Sequence, residues 1–146
     1  MSEFDDLPLG YLLYRATTAL HPRVNTRLRP LGLTVPAFVC MKLLAVRPGL
    51  SNAELARTVN VSPQTMNTVL RGLQERGAVV RPATVASGRA LPAQLTAEGR
   101  KLMKRAQAAV QAADEEVLAA LTPTRRRELK RLLGAIGEAE IVDQPR

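Results

Sequence analysis

Gln64, Asn67, Thr68 and Arg71 recur at helical spacing within the stretch Ser62–Gly77, with Thr65 beside the first of them. Carboxamide, hydroxyl and guanidinium groups in such a row donate to and accept from base edges and phosphates, which is the chemistry of reading DNA. Gln64 and Asn67 stand one turn apart, and each can bond adenine bidentately. No long acidic residue enters this stretch before Glu75. A plain solvated face would more often mix Glu with Lys.

The stretch carries the marks of one helix. Ser62 suits the cap of the first turn and Pro63 the first helical position, where no backbone donor is needed. Gly77 can adopt the left-handed conformation that ends a helix. Met66, Val69, Leu70 and Leu73 form the apolar face opposite the polar row. Just upstream, Ser51-Asn52-Ala53-Glu54 reads as a capping box that opens a short helix continued by Leu55, Ala56 and Val59. Asn60-Val61 is a tight link between the two. Two helices joined this way make a helix-turn-helix, whose second helix enters the major groove.

The remaining chain must hold that pair. Leu7 to about Leu31 reads as a helix, with Asp6 as its cap and Leu12, Leu13, Ala16, Ala19, Leu20, Val24 and Leu28 as its stripe. Pro22 predicts a kink or break between Thr18 and Pro22, because it lacks a donor and crowds the Thr18 carbonyl. Val35–Val46, capped by Thr34, has Lys42 as its only charge and is apolar all round, which predicts a buried central helix. After Gly77 the pattern turns extended: Ala78–Arg81 and Ala90–Leu95 flank a Ser87-Gly88-Arg89 tip and read as a β-hairpin wing, with Pro92 suiting an edge strand. Arg89 at the tip is placed to meet a minor groove or phosphate. Thr96 starts a long helix from Ala97 to Leu121, with Leu102, Ala106, Ala109, Val110, Ala113, Val117, Leu118 and Leu121 on one line. Thr122-Pro123 caps a last helix whose face is Leu129, Leu132, Leu133 and Ile136; Arg125, Arg126 and Arg127 read as a solvated run, and the tail from about Val142 is expected to fray. Ser51, Asn52, Ser62, Pro63 and Arg81 complete the candidate DNA-contact set with the polar row and Arg89. The fold class is therefore mainly α with a small β-hairpin wing.

Composition agrees. The 146 residues suit a single domain, 46% of them are hydrophobic, and the net charge is +8. Such a basic chain suits a polyanionic partner, nucleic acid before an anionic membrane. Between residues 51 and 96 only Glu54 and Glu75 oppose Arg57, Arg71, Arg76, Arg81 and Arg89. No apolar run reaches the roughly 18 residues of a membrane span, and the acidic start Ser2-Glu3-Phe4-Asp5-Asp6 does not resemble a signal peptide. One cysteine excludes an intramolecular disulfide and points to the cytoplasm. One histidine and no Cys/His cluster leave a metal site or other cofactor without support. Cys40 and His21 lack a nearby carboxylate in sequence to complete a nucleophile–base arrangement, so no enzyme is expected.

Leu31-Gly32-Leu33-Thr34, Ser51-Asn52-Ala53-Glu54-Leu55-Ala56, Leu73-Gln74-Glu75-Arg76-Gly77 and Leu95-Thr96-Ala97-Glu98-Gly99, in this order and spacing, resemble the MarR family of bacterial transcription regulators over about residues 7–140. The resemblance implies a winged helix-turn-helix homodimer of six-helix subunits. Residues 7–31 and 97–140 would supply the dimerisation helices, and 35–96 the DNA-binding region, of one domain spanning 1–146. It also implies a pseudo-palindromic operator, often repressed until a small aromatic or anionic ligand releases the protein. The family's ligand cleft lies where the dimer helices meet the reading head. Candidate ligand residues are Tyr11, Tyr14, Arg15 and His21 on the first helix and Phe38, Met41 and Lys42 on the second. Packing at the dimer interface is the simpler reading of Tyr11 and Tyr14. Two features depart from the family pattern: Ser87 stands where the wing often carries an acid that steadies its arginine, and Pro22 falls in a helix that is usually continuous. Two alternatives stand beside this reading. One is a redox switch on Cys40, against which burial in an apolar helix argues. The other is a winged-helix protein–protein module, against which the polar row and the net charge argue.

Overall fold

The computed structural model describes residues 2–81 and 93–142, with side chains through 137. The expected hairpin tip with Ser87 and Arg89, the proline Pro92 expected on an edge strand, and the chain end beyond Val142 lie outside the described residues.

Among the described residues six helices and one two-stranded sheet follow in order: α1 Leu9–Leu28, a 3-10 turn Arg29–Leu31, α2 Val35–Val46, α3 Asn52–Val59, α4 Pro63–Glu75, β1 Val79–Val80, β2 Gln94–Leu95, α5 Ala97–Val117 and α6 Pro123–Val142. The strands are antiparallel, with Val79 opposite Leu95 and Val80 opposite Gln94. This is a helical protein with the base of a hairpin following its fourth helix.

Helix α2 is the centre. Ala37, Cys40, Met41 and Leu44 are buried on it, and it packs against α3, α4, α5 and β2. Its neighbours contribute Leu28, Leu55, Met66, Leu70 and Leu73, all almost wholly withdrawn from water. Full burial of one such side chain stabilises the fold by about 1.5–3 kcal/mol. Thr34 caps α2 by accepting the Ala37 amide at 3.2 Å. Gly32, at φ +68°, makes the left-handed turn between α1 and α2.

Three expectations are corrected. Pro22 does not break α1, which runs unbroken through it. Pro22 and Thr18 both lie on the exposed side, where water can reach the carbonyl that Pro22 leaves without a donor, while Val24 and Leu28 hold the inner side. Asp6 does not cap α1; Pro8 occupies the cap position, with no side-chain cap. The start of the chain instead folds into a turn in which the Ser2 amide donates to Asp5 at 2.9 Å and Arg15 stacks over Phe4 at 5.5 Å. Third, α5 stops at Val117 rather than Leu121. The Nε of Arg126 donates to the carbonyls of Leu118 and Leu121, at 3.0 and 2.9 Å, so the chain turns there. Arg126 thereby departs from the solvated run expected of residues 125–127.

Candidate nucleic-acid interface

The reading head is built by local chemistry at each helix end. Ser51 accepts the Glu54 amide at 3.1 Å and Glu54 accepts the Ser51 amide at 3.5 Å, closing the capping box of α3. Asn60, at φ 62°, ends α3 in the left-handed region that asparagine tolerates. Ser62 then accepts the Thr65 amide at 3.1 Å and opens α4. At the other end, Gly77 has φ +74°. Its amide donates to Gln74 and that of Ala78 to Leu73, the paired bonds of a glycine-terminated helix.

Met66, Leu70 and Leu73 bury one face of α4 in the core. Gln64, Thr65, Asn67, Thr68 and Arg71 are all exposed on the rest of it. A single helix therefore carries both the anchor and the presented row. Thr68 turns its hydroxyl back onto the Gln64 carbonyl at 3.1 Å, and Ser62 donates to Thr65 at 2.9 Å, so both hydroxyls have partners within α4. The amino end of α4 faces outward with Pro63 in its first turn, adding the positive end of a helix dipole.

Asn67 is tied across to α3. The Asn52 side-chain amide donates to Asn67 Oδ1 at 2.8 Å, and Arg81 donates to Asn52 Oδ1 at 3.0 Å. Arg81 follows β1 directly, so the three residues link both helices of the head to the hairpin base. The types of Asn52, Asn67 and Arg81 are visible in the sequence; their pairing is not.

The hairpin base is fixed against α5. Thr96 caps α5 through the Gly99 amide at 3.0 Å and donates its own hydroxyl to the Gly77 carbonyl at 2.6 Å. Arg76 reaches from the end of α4 to the Gly32 carbonyl at 3.1 Å, tying the reading helix to the corner between α1 and α2.

The candidate ligand residues do not share one described cavity. Tyr11 and Tyr14 are exposed on α1, Arg15 is engaged with Phe4, and His21 is exposed. Met41 is fully buried in α2, Phe38 is half-buried, and Lys42 donates to Gln107 of α5 at 2.7 Å. An open cleft of about 450 Å³ lies elsewhere, lined by Pro22, Arg23, Thr26, Arg27 and Glu116. Glu116 pairs with Arg27 and, at 3.4 Å, with Arg23, and the Arg27 hydrogen bond holds its carboxyl below the usual carboxylate range. The sequence does not reveal this group: Arg23 and Arg27 stand one turn apart, but nothing local points to Glu116. Among the described residues no group of three His, Cys, Asp or Glu side chains gathers as metal ligands. No single described helix is long and apolar enough to cross a membrane. Burial raises the Cys40 thiol to about 11.

Comparison with known proteins agrees with this architecture. Residues 33–91 match the family model described as MarR family. The chain is 61% identical over 133 residues to the HTH-type transcriptional repressor Rv2887 of Mycobacterium tuberculosis, covering 91% of this chain and 96% of that one. The crystal structure of that Mycobacterium tuberculosis protein in complex with salicylic acid superposes with a TM-score of 0.78 at 61% identity, covering 90% of this chain and 98% of the other. Its complex with DNA superposes with a TM-score of 0.77 at 57% identity, covering 90% and 99%.

Proposed function

Since the chain belongs to the MarR family, we propose that it is a transcriptional repressor that binds a pseudo-palindromic operator as a homodimer and leaves it when a small aromatic anion binds. The observation that carries the DNA reading is the face of α4. Five polar side chains stand exposed on a helix whose other face is locked into the core, and no acid interrupts them before Glu75. The candidate contacts are Ser51, Asn52, Ser62, Pro63, Gln64, Thr65, Asn67, Thr68, Arg71 and Arg81, together with Arg89, which lies outside the described residues. Ser51 and Ser62 act chiefly by capping, which sets where the two amino ends point.

The dimer reading is supported by apolar surface left exposed among the described residues. Leu9, Tyr11 and Tyr14 on α1 and Leu132, Leu133 and Ile136 on α6 are all exposed. In this reading residues 7–31 and 97–140 form the dimerisation part and 35–96 the DNA-binding part of one domain. The protein works in the cytoplasm as a binding protein without catalytic activity. A thiol with a pKa of about 11 is a poor redox sensor at neutral pH, which favours ligand control over oxidation of Cys40.

A relative crystallised with salicylic acid makes salicylate the probe of choice. The test selects the preferred duplex from a random pool and follows its binding by fluorescence anisotropy. Two half-sites about one helical turn apart, loss of preference in Gln64→Ala, and release by millimolar salicylate are expected. A selected pool with no enriched sequence would overturn the reading.

A further inference from the structure

We propose that Asn52 is a positioning residue that makes Asn67 a hydrogen-bond donor toward DNA, with Arg81 holding Asn52 in the required orientation. This rests on the reading of α4 as the base-contacting helix, and it goes further by naming the kind of base that Asn67 accepts.

The argument follows from donor and acceptor identities. A guanidinium only donates, so the atom that Asn52 turns toward Arg81, at 3.0 Å, is its oxygen. The Asn52 nitrogen then faces the other way, toward α4, and needs an acceptor. Asn67 supplies one by turning its own oxygen to Asn52 at 2.8 Å. Each link fixes the next, and the chain begins at a group that cannot reverse its role. Arg81 and Asn52 are both partly buried, whereas Asn67 is exposed. With the oxygen of Asn67 held by α3, its –NH2 group is the end directed away from α3.

An unconstrained asparagine pairs with adenine by donating to N7 and accepting from N6. Asn67 is constrained against the second half of that pairing, because its oxygen is turned toward Asn52 on α3 and not outward. In the major groove guanine offers two acceptors, N7 and O6, and thymine offers O4; cytosine N4 is a donor, and adenine sets its N6 donor beside N7, so a donor-only side chain gains one bond there and meets a like group. The relay therefore favours guanine, and after it thymine, over adenine and cytosine at the position that Asn67 contacts. Gln64, whose side chain has no described hydrogen bond, keeps both ends free and remains suited to adenine.

Sequence selection with three proteins tests this. Asn67→Ala identifies the base position that Asn67 reads, as the one whose preference relaxes. The wild-type protein is expected to select guanine or thymine there. In Asn52→Asp the new carboxylate only accepts. It keeps Arg81 and takes a hydrogen bond from the Asn67 nitrogen, which turns the Asn67 oxygen outward. Preference at that one position should then move to cytosine or adenine by roughly tenfold in relative selection, within the range of a good base contact. The added charge weakens binding to all sequences alike, so the base ratio is the readout. An aspartate in the first turn of α3 suits the helix dipole, and circular dichroism should show unchanged helix content. Adenine at the wild-type position, or the same base in Asn52→Asp as in wild type, overturns the relay while leaving base reading by α4 intact. An Asn67→Ala pool identical to wild type overturns it by removing Asn67 from the readers; Gln64→Ala then reports separately on α4 itself.

Discussion

Gly99 lies so close to Ala78 that a Cβ added to it would stand 2.9 Å from the Ala78 carbonyl carbon and overlap the oxygen. The contact joins the start of α5 to the residue between α4 and β1. Thr96 reinforces it, since its amide donates to that same Ala78 carbonyl at 3.1 Å. Gly99→Ala should force the two apart. The obstacle is backbone, which has no rotamer to give, so the expected cost is about 1–3 kcal/mol by chemical denaturation. Operator affinity should fall as well, because the hairpin base moves relative to α4. An unchanged denaturation midpoint would mean that this junction is not rigid.

Arg126 supports a second prediction. Its Nε meets two carbonyls at the turn between α5 and α6 while the side chain is partly buried. Arg126→Ala leaves both acceptors without that donor, and a loss of about 1–3 kcal/mol is expected. Arg125→Ala and Arg127→Ala, which remove exposed side chains, should stay within about 0.5 kcal/mol. Equal effects from all three would show that the charge of the run matters and not the geometry of Arg126.

Local chemistry explains why so much of the head was legible in the sequence. The caps Thr34, Ser51, Ser62 and Thr96 each act on an amide in the turn they open, so residue type and short spacing sufficed. The apolar period of α4 and the all-apolar character of α2 likewise report burial directly. What the sequence concealed depends on tertiary neighbours. Pro22 looked like a break because its effect depends on which side of α1 faces water. The end of α5 is set by Arg126, which belongs to the next helix. Asn52 and Asn67 were both candidates, yet only the crossing of α3 and α4 shows that one occupies the other's acceptor. The group of Arg23, Arg27 and Glu116 joins opposite ends of the chain, beyond any local pattern.

Cys40 offers a test by reactivity and pH. Burial raises its thiol from 9.0 to about 11, so the folded state holds the proton more tightly than the unfolded chain does. The associated stability is complete below the unfolded pKa and is lost as pH rises from about 9 through about 11. Each unit is worth about 1.4 kcal/mol. The stability difference between wild type and Cys40→Ala should therefore narrow over that window and stay flat from pH 6 to 8. At pH 8 alkylation by iodoacetamide should run about a hundredfold slower in the folded protein than in denaturant, from the thiolate fraction alone. Rapid labelling of the folded protein, or release of DNA by mild peroxide in wild type but not in Cys40→Ser, would restore a redox role.

The last prediction concerns the face that α6 leaves to solvent. No described side chain of α6 is buried, although Leu132, Leu133 and Ile136 share one side of it. Its described polar ties to α5 are Arg126 and the ion pair of Lys130 with Asp114 at 3.6 Å. An apolar side chain left in water forgoes about 1.5–3 kcal/mol of burial, and a two-fold contact doubles the gain because each residue is buried once in each subunit. Ile136→Glu should therefore split the dimer without unfolding the subunit, since Ile136 lies outside the core formed around α2. Light scattering at micromolar protein should move from about twice 15.9 kDa toward 15.9 kDa, with the helix signal in circular dichroism preserved. A lone subunit reaches one half-site, so operator affinity should drop by at least about a hundredfold, as expected when a second linked contact is lost. A charge-neutral control, Ile136→Leu, should remain dimeric and bind as wild type does. If Ile136→Glu keeps both its mass and its affinity, the dimer is formed through some other surface, and the exposed end of α1 with Leu9, Tyr11 and Tyr14 becomes the next place to put the charge.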